Sequence, residues 1–241
     1  MLLEPFDYFN GVFATIISVI YIIVGLKIIL KYFKYKEKNL ILVGTVWIII
    51  IEPWIAVAIS FLLHILIGIG LTPEIHALVG YTFLPSAAFL WIYFFTRVYK
   101  IQLNKLVIII IFIIETLFTI FFLYLLIVDM SLIGYLNGVI DFNYGSFLIL
   151  LIFQALILFF LTGILFSIKG MKSENLEIKL KGKLLFFAFI FYLVGSILSI
   201  LGDINIIFLV IGRILTIFSS IEYYCGFILP KWTKKLFLED I

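Results

Sequence analysis

Seven long apolar stretches, at about 10–32, 39–65, 77–98, 106–128, 144–168, 184–202 and 206–229, run through the 241-residue chain. Crossing the roughly 30 Å hydrocarbon core of a bilayer takes about 20 apolar residues in a helix, and every stretch is close to that length or longer. Inside hydrocarbon each backbone N–H and C=O must find a partner within the protein, so only helices and closed barrels span. Barrel strands would alternate polar and apolar residues over segments of about 10, whereas these runs are continuous. The expected fold class is all-α, an integral membrane bundle of seven transmembrane helices.

The connecting segments set the count and the direction. The first carries Lys31, Lys34, Lys36 and Lys38, and the third carries Arg97, Lys100 and Lys105. The fifth carries Lys169, Lys172, Lys179, Lys181 and Lys183, and the tail carries Lys231, Lys234 and Lys235. Residues 1–10, 74–76, 129–143 and 203–205 contain no Lys or Arg at all. With Lys27 at the end of the first stretch, all but one of the 17 basic residues fall on one side, and Arg213 is the exception. Cytoplasmic loops carry the excess of Lys and Arg, which predicts the N-terminus outside and the C-terminus inside. The alternation closes with seven spans; six or eight would put a basic segment on the wrong side. The mixed-charge stretch 173–179 is expected to be a positioning charge cluster or an extension of the helices below the membrane.

Composition narrows the function classes. The chain is 65% hydrophobic and 13% charged, against about 45–50% and about 25% in ordinary soluble domains. It has too little polar surface to enclose its own core in water. A soluble globular domain, a disordered chain and a nucleic-acid-binding domain are excluded. Residues 1–241 read as one transmembrane domain, multi-pass in the cell membrane, with the lipid bilayer as partner. The N-terminus carries Glu4 and Asp7 but no basic n-region, so the first stretch is expected to be retained rather than cleaved as a signal peptide. Cys225 is the single cysteine, so no intrachain disulfide forms. There is no His-Glu-x-x-His, no pair of mid-span aspartates and no glycine-rich phosphate loop. The seventh stretch lacks a mid-span lysine for retinal, and His64 and His76 lie at the outer edge. No enzymatic activity, cofactor or metal is expected.

Ionisable residues inside spans cost about 2.5–3.5 kcal/mol each on translocon scales and usually face the bundle interior. They are the functional candidates. Glu52 lies mid-span in the second stretch, on a face with Thr45, Ala56 and Ser60, and Pro53 follows it. Proline clashes with the carbonyl four residues back, here Ile49, so a kink is expected beside the carboxylate. Glu52 reads either as a ligand- or proton-sensitive site or as half of a structural ion pair. Arg213 shares one face of the seventh stretch with Thr216, Ser220 and Tyr224. Its guanidinium stays charged, and the expected partner is Glu52 first and Glu115 second. Glu222 lies on the opposite face and is expected to meet an inner lysine. Glu115 is isolated in an Ile/Phe/Leu helix, with Gln154 of the fifth stretch as a residue of the same kind. Gly195 with Ser199 suggests a tight helix crossing, Pro85 a kink in the third span, and Trp232 an inner interfacial anchor. Cys225 is expected to be a buried thiol rather than a lipidation site.

The end of the chain carries the basic run 179–183 leading into the sixth stretch, then Gly212-Arg213-Ile214-Leu215, then Tyr224-Cys225-Gly226-Phe227-Ile228-Leu229-Pro230-Lys231-Trp232. These last 65 or so residues resemble prokaryotic seven-transmembrane sensory domains, such as those fused to histidine kinases. The third stretch ends Phe94-Phe95-Thr96-Arg97-Val98-Tyr99, without the acid that precedes the arginine in G-protein-coupled receptors, and the seventh has no Asn-Pro-x-x-Tyr. The resemblance implies a sensor or receptor that binds a small molecule or lipid and passes a helix shift to its basic inner loops and a cytoplasmic signalling partner. No kinase or other output domain is expected within the 241 residues. The alternatives are a transporter or channel with an intramembrane Glu/Arg site, and a membrane scaffold without ligand. The candidate ligand or ion-pair residues are Glu52, Glu115, Arg213, Thr216, Ser220 and Glu222.

Overall fold

Proline, glycine and asparagine decide where the apolar stretches start, bend and stop. The computed structural model describes residues 3–98, 105–203 and 205–238; Tyr99, Lys100 and Ile204 lie outside them. Helix α1 spans Pro5–Tyr35, with Pro5 in its first turn and Asp7 Oδ2 accepting the Glu4 N–H at 2.9 Å. It stops where Lys36 turns left-handed, at φ 55°.

The second stretch is two helices, α2 (Lys38–Ile49) and α3 (Glu52–Ile67), bent by 49°. Pro53 has no N–H to donate and its ring cannot sit over the preceding turn, so the expected kink is a full break. The carbonyl that the Pro53 ring would meet in a continuous helix is that of Ile49. The one captured by another helix is that of Ile50, where the chain leaves the α2 axis, and it accepts the Tyr192 hydroxyl at 3.1 Å. The third span is also interrupted, into α4 (Pro73–Tyr81) and α5 (Leu84–Val98), just before Pro85.

Helix α6 (Lys105–Val128) leads into a short 3-10 turn and then an antiparallel hairpin, β1 (Gly134–Asn137) and β2 (Asp141–Tyr144). The hairpin is an addition to the all-helical expectation. Its three-residue loop, 138–140, starts at Gly138, whose φ of 80° favours glycine. Helices α7 (Ser146–Met171), α8 (Leu176–Ile200), α9 (Ile206–Ile228) and α10 (Lys231–Leu238) follow. Helix α8 starts eight residues before its apolar stretch, because Asn175 Oδ1 caps it, accepting from Glu177 N at 2.9 Å and Ile178 N at 3.2 Å. The mixed-charge segment is thus partly a helical extension.

Six spans, with α4 and α5 together making one, are long and apolar enough to cross a membrane, and the bent α2–α3 pair gives seven if it is one span. Helix α1 packs on α2, α3 and α9; α2 on α5; α5 on α7; α7 on α8; and α8 on α9. These contacts close a ring, and α6 packs outside it, against α5 and α4. At the α8–α9 crossing the backbones touch: a Cβ on Gly195 would lie 2.6 Å from Thr216 Oγ1 and 2.8 Å from the Gly212 carbonyl. Only glycine permits that approach.

The middle of the ring is aromatic. Trp47 is stacked between Tyr21, at 4.7 Å, and Tyr223, at 3.5 Å between ring centroids. Trp91 meets Phe159 at 4.7 Å and Phe189 at 5.6 Å. All of these rings are buried. Such offset and tilted aromatic contacts add about 0.5–1.5 kcal/mol per pair beyond area burial.

Candidate functional site

Two cavities lie at opposite ends of the ring, separated by that aromatic layer. On α7 the residues lining the first lie between Ile149 and Leu156 and those lining the second between Phe166 and Gly170, with Phe159 between. On α8 the order along the helix is reversed: Ile178 to Leu185 line the second cavity, Phe189 follows, and Tyr192 to Ile200 line the first. The second cavity, about 530 Å³, gathers Glu37, Asn39, Val98, Lys169 and Lys181. The basic connections therefore do meet at one end of the bundle. There Lys181 Nζ donates to the Phe227 carbonyl at 3.2 Å, in the carbonyl-rich C-terminal turn of α9, where a cation is favourable. Lys234 pairs with Glu177 at 2.5 Å, an exposed contact of the kind worth little stability.

The first cavity, about 280 Å³, lies at the other end among α3, α7, α8 and α9, with Tyr144 of the hairpin and Leu84 of α5 also in its wall. Its lining is almost wholly apolar, and among the described residues Arg213 is its one charged group. Arg213 is only 5% exposed. Its Nη2 donates to Asn10 Oδ1 at 2.6 Å, and its guanidinium carbon lies 5.4 Å from the Trp54 ring centroid. Nε and Nη1 are buried without a hydrogen-bond partner. A guanidinium has five N–H donors and no acceptor, so most of its donor capacity is unmatched.

The expected Arg213–Glu52 ion pair does not form, and neither does Arg213–Glu115; among the described residues the ion pair is Lys234–Glu177. The helix breaks are the reason. The interruption between α4 and α5 leaves the Phe83 N–H without a helical acceptor, and Glu52 Oε2 takes it at 3.0 Å. The carboxylate that starts α3 is thereby spent on the neighbouring broken span. Glu115 lies on α6, outside the ring, and accepts from Gln154 Nε2 of α7 at 2.5 Å. Sequence singled out both residues but gave no sign that they meet.

The polar stripe of α9 is a packed seam rather than a cavity wall below Arg213. Thr216 Oγ1 donates to the Gly212 carbonyl at 2.9 Å, and the Thr216 carbonyl accepts the Tyr21 hydroxyl at 3.1 Å. Ser220 Oγ accepts the Trp47 indole N–H at 3.2 Å. Tyr224 continues the stripe to Lys27 of α1, 5.9 Å from its ring. Glu222 is half-buried with Oε2 unpartnered, and among the described residues no inner lysine pairs with it. Cys225 is buried, with Thr233 Oγ1 3.5 Å from its sulfur, which fits the expected buried thiol.

Four residues at the site escape sequence reasoning. Asn10 stands at the polar edge of the first span, and its signal is only that it is an amide at the mouth of an apolar run. Tyr144 is the first residue of the fifth apolar stretch, where nothing in the sequence marks it. Tyr192 and its neighbour Ser196 lie in a helix that sequence marks only by Gly195 and Ser199. No family model matches this chain, and no curated protein is significantly similar to it.

Proposed function

We propose that this protein is a seven-helix membrane sensor or receptor whose small ligand occupies the cavity at Arg213, with the effect read at the basic end by a cytoplasmic partner. The single observation that carries this reading is a buried arginine facing an apolar cavity with two of its nitrogens unpartnered. Buried polar groups in proteins are normally satisfied, and a cation in hydrocarbon is normally matched. A binding site explains the exception and a scaffold does not. The buried Trp47–Trp91–Phe159–Phe189 layer argues against a continuous pore. It also links the two ends mechanically, because close-packed rings cannot shift singly.

The coupling half of this reading is testable without a ligand. Ala155 lines the cavity, so Ala155→Phe mimics occupancy. In a Cys225→Ala background, a bimane fluorophore on Lys172→Cys is expected to change its emission when Ala155→Phe is added. The lipid-exposed control Leu161→Phe is expected to leave it unchanged. Equal emission in all three would overturn the coupling. The cavity at the basic end favours a transporter as the second reading. Accumulation of a bound ligand inside sealed proteoliposomes would establish that instead.

A further inference from the structure

We propose that the Arg213 cavity takes a single-chain carboxylate amphiphile, a medium-chain fatty-acid-type anion, that enters sideways from the bilayer between α7 and α8. This rests on the ligand-binding reading above and specifies the ligand's class.

The charge fixes the head group. Arg213 already holds a neutral acceptor, Asn10, which satisfies one nitrogen and leaves the positive charge uncompensated. A carboxylate offers two oxygens that match the planar N–H fork of a guanidinium. Among the described residues no second cation lines the cavity, so one negative charge is balanced and a phosphate's second is not. Tyr144 lines the same cavity as Arg213, and Ser196 contributes a buried hydroxyl to its wall. The cavity therefore has hydroxyls from Tyr144 and Ser196 in its wall beside the guanidinium.

The walls and the opening fix the tail. Away from Arg213 the lining is aliphatic, with Val57, Ile152 and Leu156 typical of it. A volume of about 280 Å³ holds about nine water-sized groups at about 30 Å³ each, which suits a chain of about eight to ten carbons. Four lining residues, Ile149 and Phe153 of α7 and Ile197 and Ile200 of α8, are also exposed on the flank of the bundle. The cavity thus reaches the outer surface between these two helices. In a membrane that flank meets acyl chains, so an amphiphile already dissolved in the bilayer reaches Arg213 without crossing water. A longer chain would leave its end in the lipid through the same gap.

The experiment uses the full chain in phosphatidylcholine nanodiscs and a decanoate carrying a terminal diazirine. After photolysis, crosslinks are expected within residues 149–156 and 192–200. Decanoate is expected to compete at least about tenfold better than decanol, decylamine or decyl phosphate, a difference of about 1.4 kcal/mol. Arg213→Gln should weaken labelling by a similar factor. Ala155→Phe, which keeps Arg213 and fills the space, should abolish it even if Arg213→Gln folds poorly. Crosslinks spread over exposed apolar surface such as α6 and indifferent to both variants would overturn the proposal. So would equal competition by decanol, or stronger competition by decyl phosphate. If decanoate fails while the bimane on Lys172→Cys still responds to Ala155→Phe, the ligand class is wrong and the sensor reading stands. Site-specific labelling without that bimane response upholds the ligand class and overturns the sensor reading.

Discussion

Replacing Asn10 tests whether Arg213 is held as described. The Asn10–Arg213 hydrogen bond is 2.6 Å long, and both residues are buried, at 6% and 5% exposure. Polar contacts between membrane helices average about 0.6 kcal/mol and reach about 1.7, while hydrogen bonds to charged groups contribute about 1.5–3 kcal/mol in soluble proteins. A short, buried, charge-assisted bond belongs where those ranges overlap, at about 1.5–2 kcal/mol. Asn10→Ala is expected to destabilise the protein by that amount, because it also leaves Nη2 without an acceptor. Asn10→Asp keeps the shape and adds the missing negative charge, so it should match or exceed the parent in stability. Unfolding in detergent micelles, followed by tryptophan emission, gives each value. The cycle Asn10→Ala with Arg213→Gln should show coupling of about 1–2 kcal/mol, since the two residues share one bond. An Asn10→Asp variant as unstable as Asn10→Ala, or coupling below about 0.3 kcal/mol, would refute the assignment. The carboxylate of Asn10→Asp should also exclude decanoate, because it occupies the charge the ligand is proposed to meet.

Glu52→Gln keeps an acceptor for the Phe83 N–H and is expected to fold normally, whereas Glu52→Leu orphans that donor and should cost about 1–3 kcal/mol, measured in the same unfolding assay. Combining Glu52→Leu with Arg213→Gln should give additive losses, since the two residues share no partner; strong coupling would restore the ion pair expected from sequence. For orientation, in intact cells carrying Cys225→Ser, Asn137→Cys should react with an impermeant maleimide and Lys172→Cys should not. The reverse pattern overturns the outside N-terminus.

Long-range pairing explains most of what sequence missed. Glu52, Glu115 and Arg213 were legible one at a time, because a charge in an apolar run is conspicuous whatever it touches. Their partners were not, because a partner depends on which helices are neighbours and how each is rotated. The expected pairing of Glu52 with Arg213 failed because two helix breaks turned Glu52 toward Phe83. The α6 position outside the ring is likewise invisible in a sequence whose fourth and fifth stretches look alike.

What this sequence determined alone follows from local physics. Continuous apolar runs of bilayer length force helices, since unpaired backbone groups cannot remain in hydrocarbon. Pro53 bends the span that contains it, and the helix before Pro85 is interrupted, because a missing N–H and a clashing ring act within one turn. The alternation of the basic segments assigns them to one side, and the structure gathers Glu37, Val98, Lys169 and Lys181 at one end of the bundle accordingly. Tertiary structure alone decided that Asn10 rather than a glutamate meets Arg213, that four buried rings divide the interior, and that a cavity lined by α7 and α8 lies beside a buried charge. Those outcomes depend on how nearly uniform apolar helix surfaces choose neighbours. The choice rests on close packing at a few glycines such as Gly195 and Gly212, and packing is a property of surfaces brought together, which no single stretch of sequence contains.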